Sequence, residues 1–503
     1  MIKEKFIKNP KLIRKIVINK KIVLCHGVFD VLHIGHLNSF RQARKHGDIL
    51  VVSVTSDEFV NKGPGRPSFK LDDRINFLKE IGMVDFIVVS NNLTAVNIIK
   101  SIKPNVYCKG MDYKDQINFD KNLNLEINAL KSFDGKIKFL TSKLHSSSNI
   151  INKNNLNNYD DDVRIYLDKI KKKFPVRLQN NITNKFPEQK ILHLGELIID
   201  KYVFTESVGM SGKEAISIIK PLKEINFLGG SGYIVNLLSG FSKKISLLSF
   251  IGKNLSNKNF ILKNLSKLAQ KKLVDKNNTS VVKKRYIDEY SNKRIIGVYN
   301  ADEKPILKKE ENAYIKKLHQ NSKNKDAIVI SDFGHEEFTP KIISTLKKYT
   351  HKIYLNCQIN AFSRNYYSIF KYKKVNTIIV NESELRHELR DKYTRVEDLI
   401  KNCKKLFKFK VIIITRGKKG GICYVNNSNK FYYYPALNKN PVDTIGAGDS
   451  FFSICSLSLS CGASPELACF FGNIAAYHSV SSMGNKKPLN FVSFKKLISH
   501  VLK

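Results

Sequence analysis

Residues 21–47 read KIVLCHGVFDVLHIGHLNSFRQARKHG, and this stretch decides the fold of the first part of the chain. Residues 22–25 form a short, mostly branched apolar run, which is typical of a strand buried in a parallel sheet. From Ile34 onward, apolar side chains recur about every three residues, which predicts an amphipathic helix that Gly47 ends. A strand, a tight turn and a helix start in this order present free N–H groups and a positive dipole end to an anion.

Two histidines flank the start of this helix, and Gly35 between them lets a phosphate approach the backbone closely. The segment matches the HxGH signature of the nucleotidylyltransferase superfamily, and its context, GVFDVLHIGH, resembles the cytidylyltransferase-like branch. In that family both histidines stabilise charge on the α-phosphate of the nucleotide while a phosphate oxygen of the second substrate attacks it. The resemblance implies this catalytic role for His33 and His36. The alternative is a pair of histidines that only cap a helix.

Length and composition indicate a globular protein of two or three domains. The chain has 503 residues, 42% of them hydrophobic, which is too long for a single core. No run approaches the roughly 18 consecutive apolar residues of a membrane span, and the first residues, MIKEKFIKNPKLIRK, lack the apolar region of a secretory signal. The eight cysteines show no CxxC spacing, which predicts buried thiols in a reducing compartment. We therefore expect a cytoplasmic protein without a membrane span.

The formal net charge of +42 could indicate binding to nucleic acid or to an anionic membrane. Lysine, asparagine and isoleucine are frequent along the whole chain, however, and no block of like charge stands out. A compositional bias explains the charge without any partner, so we expect no nucleic-acid binding. Phosphorylated substrates would still be attracted to such a surface.

Beyond the first helix, strands and helices alternate up to residue 152, which implies a parallel sheet with right-handed crossovers. Residues 61–67, NKGPGRP, form a loop in which Lys62 and Arg66 could close over a triphosphate; the alternative is an ordinary surface loop. Arg74, near the start of the next helix, matches an arginine of the family fold and would contact the nucleotide. Its alternative is a salt bridge at the helix start.

Two further segments resemble family elements. Residues 109–113, KGMDY, resemble the KGxDY element of sugar-phosphate adenylyltransferases, which implies that Lys109 and Asp112 bind the nucleotide. Residues 145–151, HSSSNII, resemble the STTxII element, whose hydroxyls hold nucleotide phosphates, here Ser146, Ser147 and Ser148. The resemblance also implies nucleotide contacts around the HxGH turn, from Gly27, Phe29, Asp30 and Gly35. The KGxDY element favours ATP, and CTP stays open.

Residues 153–188 are polar and largely without pattern, apart from one amphipathic stretch, VRIYLDKIKKKF. This composition predicts an interdomain linker. A second alternation of strands and helices then runs to the end of the chain. We therefore predict domains at 1–152 and 189–503.

The second domain carries the sequence DTIGAGD at residues 443–449. Gly446, Ala447 and Gly448 permit a tight turn whose N–H groups converge on an anion at a helix start. Asp449 on that turn is placed to accept a proton from an alcohol. The uncharged run FFSICSLSLSC that follows predicts a buried helix that holds the turn rigidly.

DTxGAGD is the signature of the ribokinase-like, or PfkB, sugar kinases. The resemblance implies that Asp449 is the general base for a sugar hydroxyl and that the turn stabilises the transferring phosphoryl group. It also implies a nucleotide site, formed by Asn381, Glu384, Thr415, Gly417, Gly420 and Asn473. The implied sugar site consists of Asp200, Gly229, Gly230 and Asp443. Glu384 is the family position associated with Mg²⁺, which it would hold through water.

The second domain also departs from the bifunctional heptose kinase/adenylyltransferases that it resembles. Glu196 stands where those enzymes have an aspartate, and Tyr233 stands where they have an asparagine that contacts the sugar. Their DPK segment becomes Asn356, Cys357 and Gln358. Because replacing a buried hydrogen-bonding group changes specificity sharply, we expect intact phosphoryl transfer and a rebuilt sugar pocket. The domain order is inverted, since the relatives usually place the kinase first.

The expected fold is α/β, with a Rossmann-like nucleotidylyltransferase domain followed by a ribokinase-like domain that has a parallel central sheet. The expected enzyme phosphorylates a sugar with ATP and Mg²⁺ and converts a sugar 1-phosphate and a nucleoside triphosphate into a nucleotide-sugar of the ADP-heptose type, for envelope polysaccharide synthesis. The alternative is an active transferase fused to a kinase of changed sugar specificity or reduced activity. The resemblance suggests a homo-oligomer formed through the kinase domain.

Overall fold

The computed structural model describes residues 5–60, 67–92, 94–111, 121–140, 159–291, 293–301, 304–360, 368–439, 441–481 and 489–502. The chain forms two compact units, Met1–Tyr159 and Asp160–Lys503. Several of the residues singled out above lie outside the described residues: Lys62, Arg66, Asp112, Ser146, Ser147 and Ser148. What was predicted for them stays a prediction.

The first unit is built on a parallel sheet. Its strands are β1 (Ile22–Gly27), β2 (Ile49–Thr55), β3 (Phe86–Ser90), β4 (Val106–Gly110) and β5 (Lys136–Leu140). Their order is β3-β2-β1-β4-β5, and every pairing is parallel. The helices described in this unit are Lys11–Ile16, Ile34–Arg44, Leu71–Lys79, Val96–Ile102 and Lys121–Lys131. The predicted α/β architecture with a parallel sheet is confirmed.

The central strand of this sheet, β1, explains the apolar run at residues 22–25. Val23 and Cys25 pack into one core layer, and Ile22 and Leu24 pack into the other. Both faces of β1 are therefore buried, which is why the run does not alternate with polar residues. The strand order reverses beside β1, so its carboxyl end borders the crevice where open α/β sheets bind ligands.

The second unit contains more strands. They are β6 (Ile191–Gly195), β7 (Leu197–Met210), β8 (Ser217–Gly229), β9 (Ile245–Leu248), β10 (Phe250–Gly252), β11 (Gln270–Lys271), β12 (Val274–Lys276), β13 (Val281–Asp288), β14 (Arg294–Asn300), β15 (Ala327–Asp332), β16 (Ile353–Cys357), β17 (Thr377–Asn381), β18 (Val411–Thr415), β19 (Gly421–Val425) and β20 (Lys430–Tyr434).

These strands form a large central sheet and a smaller second sheet. The central sheet has the order β11-β9-β6-β15-β16-β17-β18-β19-β20. Its pairings are parallel from β11 to β18, and β19 and β20 add antiparallel. The smaller sheet has the order β14-β13-β7-β8, and β10 pairs with β12. The sequence predicted the parallel centre but not the smaller sheet, whose strands β8 and β14 are mostly exposed.

Helices cover the central sheet. Those described are Asp161–Lys173, Val176–Thr183, Gly230–Ser239, Leu255–Asn264, Lys308–Ser322, Pro340–Leu346, Glu382–Leu389, Val396–Leu406, Ala447–Ser460, Pro465–Ser479 and Phe491–Val501. The helix Ala447–Ser460 follows the GAGD turn and packs between Gly230–Ser239 and Pro465–Ser479, as its uncharged sequence predicts. Among the described residues, no helix has both the length and the apolar character that crossing a membrane requires.

Residues 160–188, part of the predicted linker, belong to the second unit. The helix Asp161–Lys173 buries an apolar stripe, and its Lys173 forms an ion pair with Glu466. A short amphipathic segment beside polar stretches resembles a linker in sequence, but its apolar stripe needs a partner surface. The structure supplies that surface within the second unit.

Candidate functional site

The start of the helix Ile34–Arg44 carries both histidines of the first unit. The Gly35 N–H donates to His33 Nδ1 at 3.0 Å, and the His33 N–H donates to His36 Nδ1 at 3.3 Å. The two imidazoles thereby cap the helix reciprocally, with ring centroids 4.1 Å apart. Because both Nδ1 atoms accept hydrogen bonds, each neutral ring carries its proton on Nε2. Capping and phosphate binding are therefore compatible, since each uses a different ring nitrogen.

Phe29, in the turn after β1, supports the ring of His36. Its φ of 50° lies in the left-handed region that few residues other than glycine adopt. Its ring centroid lies 5.6 Å from that of His36 and 5.4 Å from that of Phe40. Gly27 lies against the same ring, because a Cβ there would come within 3.2 Å of it. The turn thus fixes the position of the His36 imidazole.

Asp30 holds a neighbouring loop onto this turn. Its side chain is buried, and its Oδ1 accepts the N–H groups of Ser68 at 2.6 Å and Phe69 at 3.0 Å. The carboxylate predicted to bind nucleotide therefore anchors the end of the segment that carries the predicted triphosphate-binding cations.

The Arg74 side chain is buried and makes all of its described contacts within the first unit. The residue is 1% exposed, and its guanidinium lies 2.6 Å from the Asp57 carboxylate. It also donates to the backbone carbonyls of Val28, Thr55 and Phe69. These contacts favour the structural alternative over direct nucleotide binding, and they join β1, β2 and the loop before the helix Leu71–Lys79.

We expect Arg74→Met to lower the free energy of unfolding of the first unit by about 3 kcal/mol, because buried carbonyl groups lose a charged donor. The measurement is urea-dependent hydrogen exchange of peptides from this unit in the full chain. Arg41→Met, on the exposed face of the helix Ile34–Arg44, is the matched control. Its free energy of unfolding should stay within about 0.5 kcal/mol of wild type. Equal stability of the two variants would contradict the structural role of Arg74.

Lys109 has a partner inside the first unit. Its ammonium lies 2.9 Å from the buried carboxylate of Glu126. Glu126 also accepts the Tyr107 hydroxyl at 3.0 Å and the Ala95 N–H at 2.9 Å. Burial and the charge of Lys109 lower the pKa of His26, at the end of β1, to about 4. The sequence predicted a phosphate contact for Lys109 and gave no signal for its pairing with Glu126.

The second unit contains a cavity of about 310 Å³ at the carboxyl ends of its central strands. This is the edge of an open α/β sheet where ligands bind. Many of the kinase residues predicted from the sequence line it: Asp200, Gly230, Asn381, Glu384, Thr415, Gly446, Gly448 and Asp449. Lys283, Arg285, Asn356, Gln358 and Thr444 add to its polar lining.

Asp449 has the properties of a general base. The Gln358 Nε2 donates to its Oδ1 at 3.1 Å. Burial and the nearby Asp200 carboxylate raise the pKa of Asp449 to about 7, against the lowering effects of Lys283 and Gln358. A carboxylate that titrates near neutrality beside a cavity can accept a proton from a bound hydroxyl.

Residues 446–448 form the start of the helix that carries Asp449. Gly446 has a φ of 79°, in the left-handed region that favours glycine. A Cβ on Gly448 would meet no atom within 4 Å, so open space lies beside it. Ala447 lies between them as the first helical residue and does not line the cavity. The first N–H groups of a helix lack partners within it, so this turn can receive an anion.

Asn381 and Glu384 form reciprocal capping hydrogen bonds at the start of the helix Glu382–Leu389. The Glu384 N–H donates to Asn381 Oδ1 at 2.8 Å, and the Asn381 N–H donates to Glu384 Oε2 at 2.8 Å. Burial, with a contribution from the Asp449 charge, raises the pKa of Glu384 to about 7. The described residues contain no group of three or more His, Cys, Asp or Glu that could hold a metal ion. One carboxylate fits a Mg²⁺ that keeps its waters and arrives with nucleotide phosphates.

Two cations that the sequence did not single out line the same cavity. Arg285 forms an ion pair with Asp200, and Lys283 lies two residues before it on β13. Burial lowers the pKa of Lys283, and the charges of Asp200 and Asp449 oppose that effect. Residues two apart on a strand share a face. Recognising a strand in VVKKRYID would therefore have placed both cations on one side of the smaller sheet.

Other predicted residues support the cavity without lining it. The Cα of Gly229 lies against Asp200, since a Cβ there would come within 2.1 Å of its Oδ2. Asp443 is buried, forms an ion pair with Arg294 and accepts the Ile445 N–H at 3.0 Å. Gly229 and Asp443, both predicted sugar ligands, therefore contact protein groups beside the cavity and do not line it.

Three predicted nucleotide residues also lie outside the cavity lining. Gly417 and Gly420 shape the turn between β18 and β19. Asn473, on the helix Pro465–Ser479, donates its Nδ2 to the Pro435 carbonyl at 2.7 Å. It thereby holds the chain that leaves β20.

Tyr233 and Glu196, two residues that differ from those of the resembled enzymes, do not line the cavity. The Tyr233 hydroxyl lies 2.7 Å from Ser450 Oγ, in the residue after the predicted base. Glu196 accepts the N–H groups of Phe333 at 2.9 Å and His335 at 3.0 Å. Tyr233 therefore supports the helix start, and the geometry gives no direct sugar contact for either residue.

Family models match both units. Residues 188–490 match the model described as pfkB family carbohydrate kinase. The chain belongs to this family. Residues 24–153 match the model described as cytidylyltransferase-like. Both resemblances that rested on the HxGH and DTxGAGD motifs are thereby confirmed.

Solved structures share the fold of the kinase unit. A mutant of phosphofructokinase-2 from Escherichia coli matches with a TM-score of 0.51 at 15% identity, over 63% of this chain and 99% of that chain. The same enzyme in complex with potassium matches with a TM-score of 0.50 at 14% identity, over 63% and 99%. At these identities the likeness concerns the fold alone.

Curated relatives share a name, "Bifunctional protein HldE". The protein from Campylobacter concisus is 40% identical over 119 residues, 23% of this chain and 25% of its own length. That from Campylobacter fetus subsp. fetus is 36% identical over 151 residues, 30% of this chain and 31% of its own length. The chain thus spans about a quarter to three tenths of the length of these relatives, and the similarity lies in the first unit.

Proposed function

We propose that this chain is a bifunctional enzyme, a sugar kinase and a sugar-1-phosphate nucleotidylyltransferase that together make a nucleotide-activated sugar of the ADP-heptose type. The observation that carries the proposal is the cavity that gathers Asp449, the GAGD turn and Asn381 with Glu384 at one sheet edge. The paired imidazoles of the first unit support its second activity. The resemblance to bifunctional heptose enzymes supplies the class of sugar.

In the kinase reaction, Asp449 takes the proton of an acceptor hydroxyl while that oxygen forms a bond to the γ-phosphorus of ATP. The bond between this phosphorus and the bridging oxygen breaks, and ADP leaves. The N–H groups at residues 446–448 stabilise the charge of the transferring group. Glu384 and Asn381 would hold Mg²⁺ through water, and the ion would neutralise phosphate charge.

In the transferase reaction, an oxygen of a sugar 1-phosphate attacks the α-phosphorus of the nucleotide, and pyrophosphate leaves. His33 and His36 donate Nε2–H to the phosphate oxygens that gain charge, and the helix dipole adds to this stabilisation. No covalent intermediate with the protein is needed, since positioning two substrates supplies much of the acceleration. We propose ATP as the nucleotide, with CTP as the alternative.

The test is ³¹P NMR of the full chain with Mg²⁺, ATP or CTP, and a panel of hexoses, heptoses and their 1-phosphates. The proposal expects a phosphorylated sugar and ADP in one set of reactions, and a nucleotide-sugar and pyrophosphate in the other. Salt-sensitive binding of RNA or DNA without any turnover would contradict it. The substrates and the eight buried cysteines, none of which forms a disulfide, fit a cytoplasmic location for the enzyme.

One observation favours a kinase of changed sugar specificity as the second candidate. Asp200, the predicted sugar ligand, is already paired with Arg285, so its carboxylate is shared between this cation and any sugar. A sugar hydroxyl that competes with an ion pair is bound differently from one that meets a free carboxylate. The same panel decides between the candidates, because this one expects phosphorylation of a hexose in preference to a heptose.

We also propose a homo-oligomer formed through the smaller sheet of the kinase unit. Lys283 and Arg285 line the cavity, so the alternating residues of β13 lie on the outer face, and their partners Ile296 and Val298 lie there too. These two side chains are 54% and 46% exposed. A second copy of the chain would cover this apolar face.

We expect Ile296→Lys to raise the dissociation constant of this oligomer on the order of a hundredfold, since a charge would enter an apolar contact. Light scattering after size-exclusion chromatography, over a range of protein concentrations, measures the change. Ile165→Lys is the control, because Ile165 is 70% exposed on a helix away from the smaller sheet. A monomeric wild type at high concentration would contradict the oligomer.

A further inference from the structure

Gln358 lies at the end of a chain of hydrogen bonds that leads to the predicted base. Asn356 donates its Nδ2 to the carbonyl of Ile379 at 2.8 Å. Gln358 donates its Nε2 to Asn356 Oδ1 at 3.3 Å and to Asp449 Oδ1 at 3.1 Å. The Gln358 backbone is held as well, because its N–H donates to the Asp332 carbonyl at 2.8 Å.

The chemistry of this chain allows one orientation of both amides. A carbonyl oxygen only accepts, so the Asn356 group that faces Ile379 must be the NH₂. The Asn356 oxygen then faces Gln358, which must present its own NH₂ in return. Both hydrogens of that NH₂ are used, one on Asn356 and one on Asp449 Oδ1. A backbone carbonyl therefore sets the direction of a side-chain amide two residues further along.

We propose that Gln358, held by Asn356, is the positioning residue of the kinase reaction, which fixes the Asp449 carboxylate so that Oδ2 takes the proton of the acceptor hydroxyl. Oδ1 is occupied by the amide, and within the described residues Oδ2 has no hydrogen-bond partner. This inference rests on the proposed kinase function. It adds a role for two residues at which the chain departs from the enzymes it resembles.

The departure also changes the charge beside the base. The segment that is DPK in the resembled enzymes carries one anion and one cation, whereas Asn356 and Gln358 are neutral. The titratable and charged groups around Asp449 are Asp200 and Glu384, the cations Lys283 and Arg285, and the hydroxyl of Tyr233. Two carboxylates and two cations oppose each other there, and the Gln358 amide adds a donor in direct contact with Asp449 that favours the ionised carboxylate.

The two obvious substitutions should therefore act in opposite directions. Gln358→Leu removes a donor that stabilises the ionised carboxylate, so the pKa of Asp449 rises by about one unit. Gln358→Lys places a cation beside the same oxygen, so the pKa falls by about one unit or more. A residue whose amide does not donate to Asp449 would leave the midpoint of Gln358→Leu at the wild-type value.

The experiment is a carboxyl ¹³C NMR titration of the full chain, labelled in aspartate, with the Asp449 signal assigned by its loss in Asp449→Asn. A midpoint that moves up in Gln358→Leu and down in Gln358→Lys supports the inference. Midpoints that stay at the wild-type value, or that move together, overturn it. Because the titration needs no substrate, it gives an answer for any folded variant.

The same variants are then assayed for ATP-dependent phosphorylation of the best acceptor in the panel of hexoses, heptoses and their phosphates. The acid limb of the pH profile of kcat/KM should follow the titration midpoint of each single variant. In the double variant Asn356→Asp, Gln358→Lys the acid limb should return towards its wild-type position, because the two added charges balance. Wild-type protein that phosphorylates no acceptor refutes the proposed kinase. Wild-type protein that is active, with an acid limb unmoved by either substitution, refutes the positioning role alone.

Discussion

Asp449→Asn is expected to slow sugar phosphorylation by about 10³-fold and to leave nucleotidyl transfer unchanged. Asparagine has nearly the same volume and can still accept the Gln358 amide through its oxygen, so the turn and its helix are preserved. It cannot take a proton from the acceptor hydroxyl, and loss of a general base reduces kcat by about 10³-fold. Both activities are measured by ³¹P NMR on the same preparation, so the transferase reaction is an internal control. Undiminished phosphorylation would remove Asp449 from the mechanism.

The pH dependence of this reaction follows from the same carboxylate. Burial and the Asp200 charge raise the pKa of Asp449 to about 7. The base is protonated and inactive below this pH, so kcat/KM for phosphorylation should rise through about pH 7 and level off above it. Lys283→Met removes a cation that lowers this pKa, so it should move the rise to higher pH. A rise centred near pH 4 would show that the carboxylate is not desolvated as the structure indicates.

The predictable part of the fold is the part whose signal is local. The continuous apolar run of β1 and the helix that begins at Ile34 can be read from sequence, because burial on both faces and helical periodicity each leave a short-range pattern. The smaller sheet leaves no such pattern. Its strand β14 is mostly exposed and pairs with β13, while β13 pairs with a strand about eighty residues earlier in the chain. Such pairing is set by tertiary structure, which single-sequence patterns do not contain.

The candidate kinase site divides in the same way. The positions of Asp449 and the glycines beside it were predictable, since the turn, the predicted base and the helix form one continuous segment. Lys283 and Arg285 were not, because their place in the cavity depends on the sheet that the sequence did not reveal. Tyr233 shows a further limit: it stands where the resembled enzymes have an asparagine that contacts the sugar, but its hydroxyl lies at Ser450 on a neighbouring helix. Packing between the helices Gly230–Ser239 and Ala447–Ser460 sets the direction of the Tyr233 side chain.

The two roles of the histidines in the first unit, helix capping and the proposed catalysis, can be separated by mutation. His33 Nδ1 accepts an N–H at the first turn of its helix, and His36 Nδ1 reaches back to the His33 N–H. Asparagine is a strong N-cap residue, and glutamine at the third helical position completes a capping box. His33→Asn and His36→Gln therefore keep the caps and remove the imidazoles. Alanine at His33 would remove a cap as well, at a cost of about 1 kcal/mol.

We expect His33→Asn and His36→Gln each to reduce nucleotide-sugar formation on the order of 10²- to 10³-fold, because each removes one donor that stabilises charge on the α-phosphate. Stability of the first unit, measured by hydrogen exchange, should stay within about 0.5 kcal/mol of wild type, since the caps persist. Phosphorylation by the kinase unit should be unchanged in the same samples. Retained pyrophosphate release in both variants would mean that the histidines only cap the helix. Loss of release in both, with the fold intact, would leave the paired Nε2–H groups as the catalytic feature of that helix start.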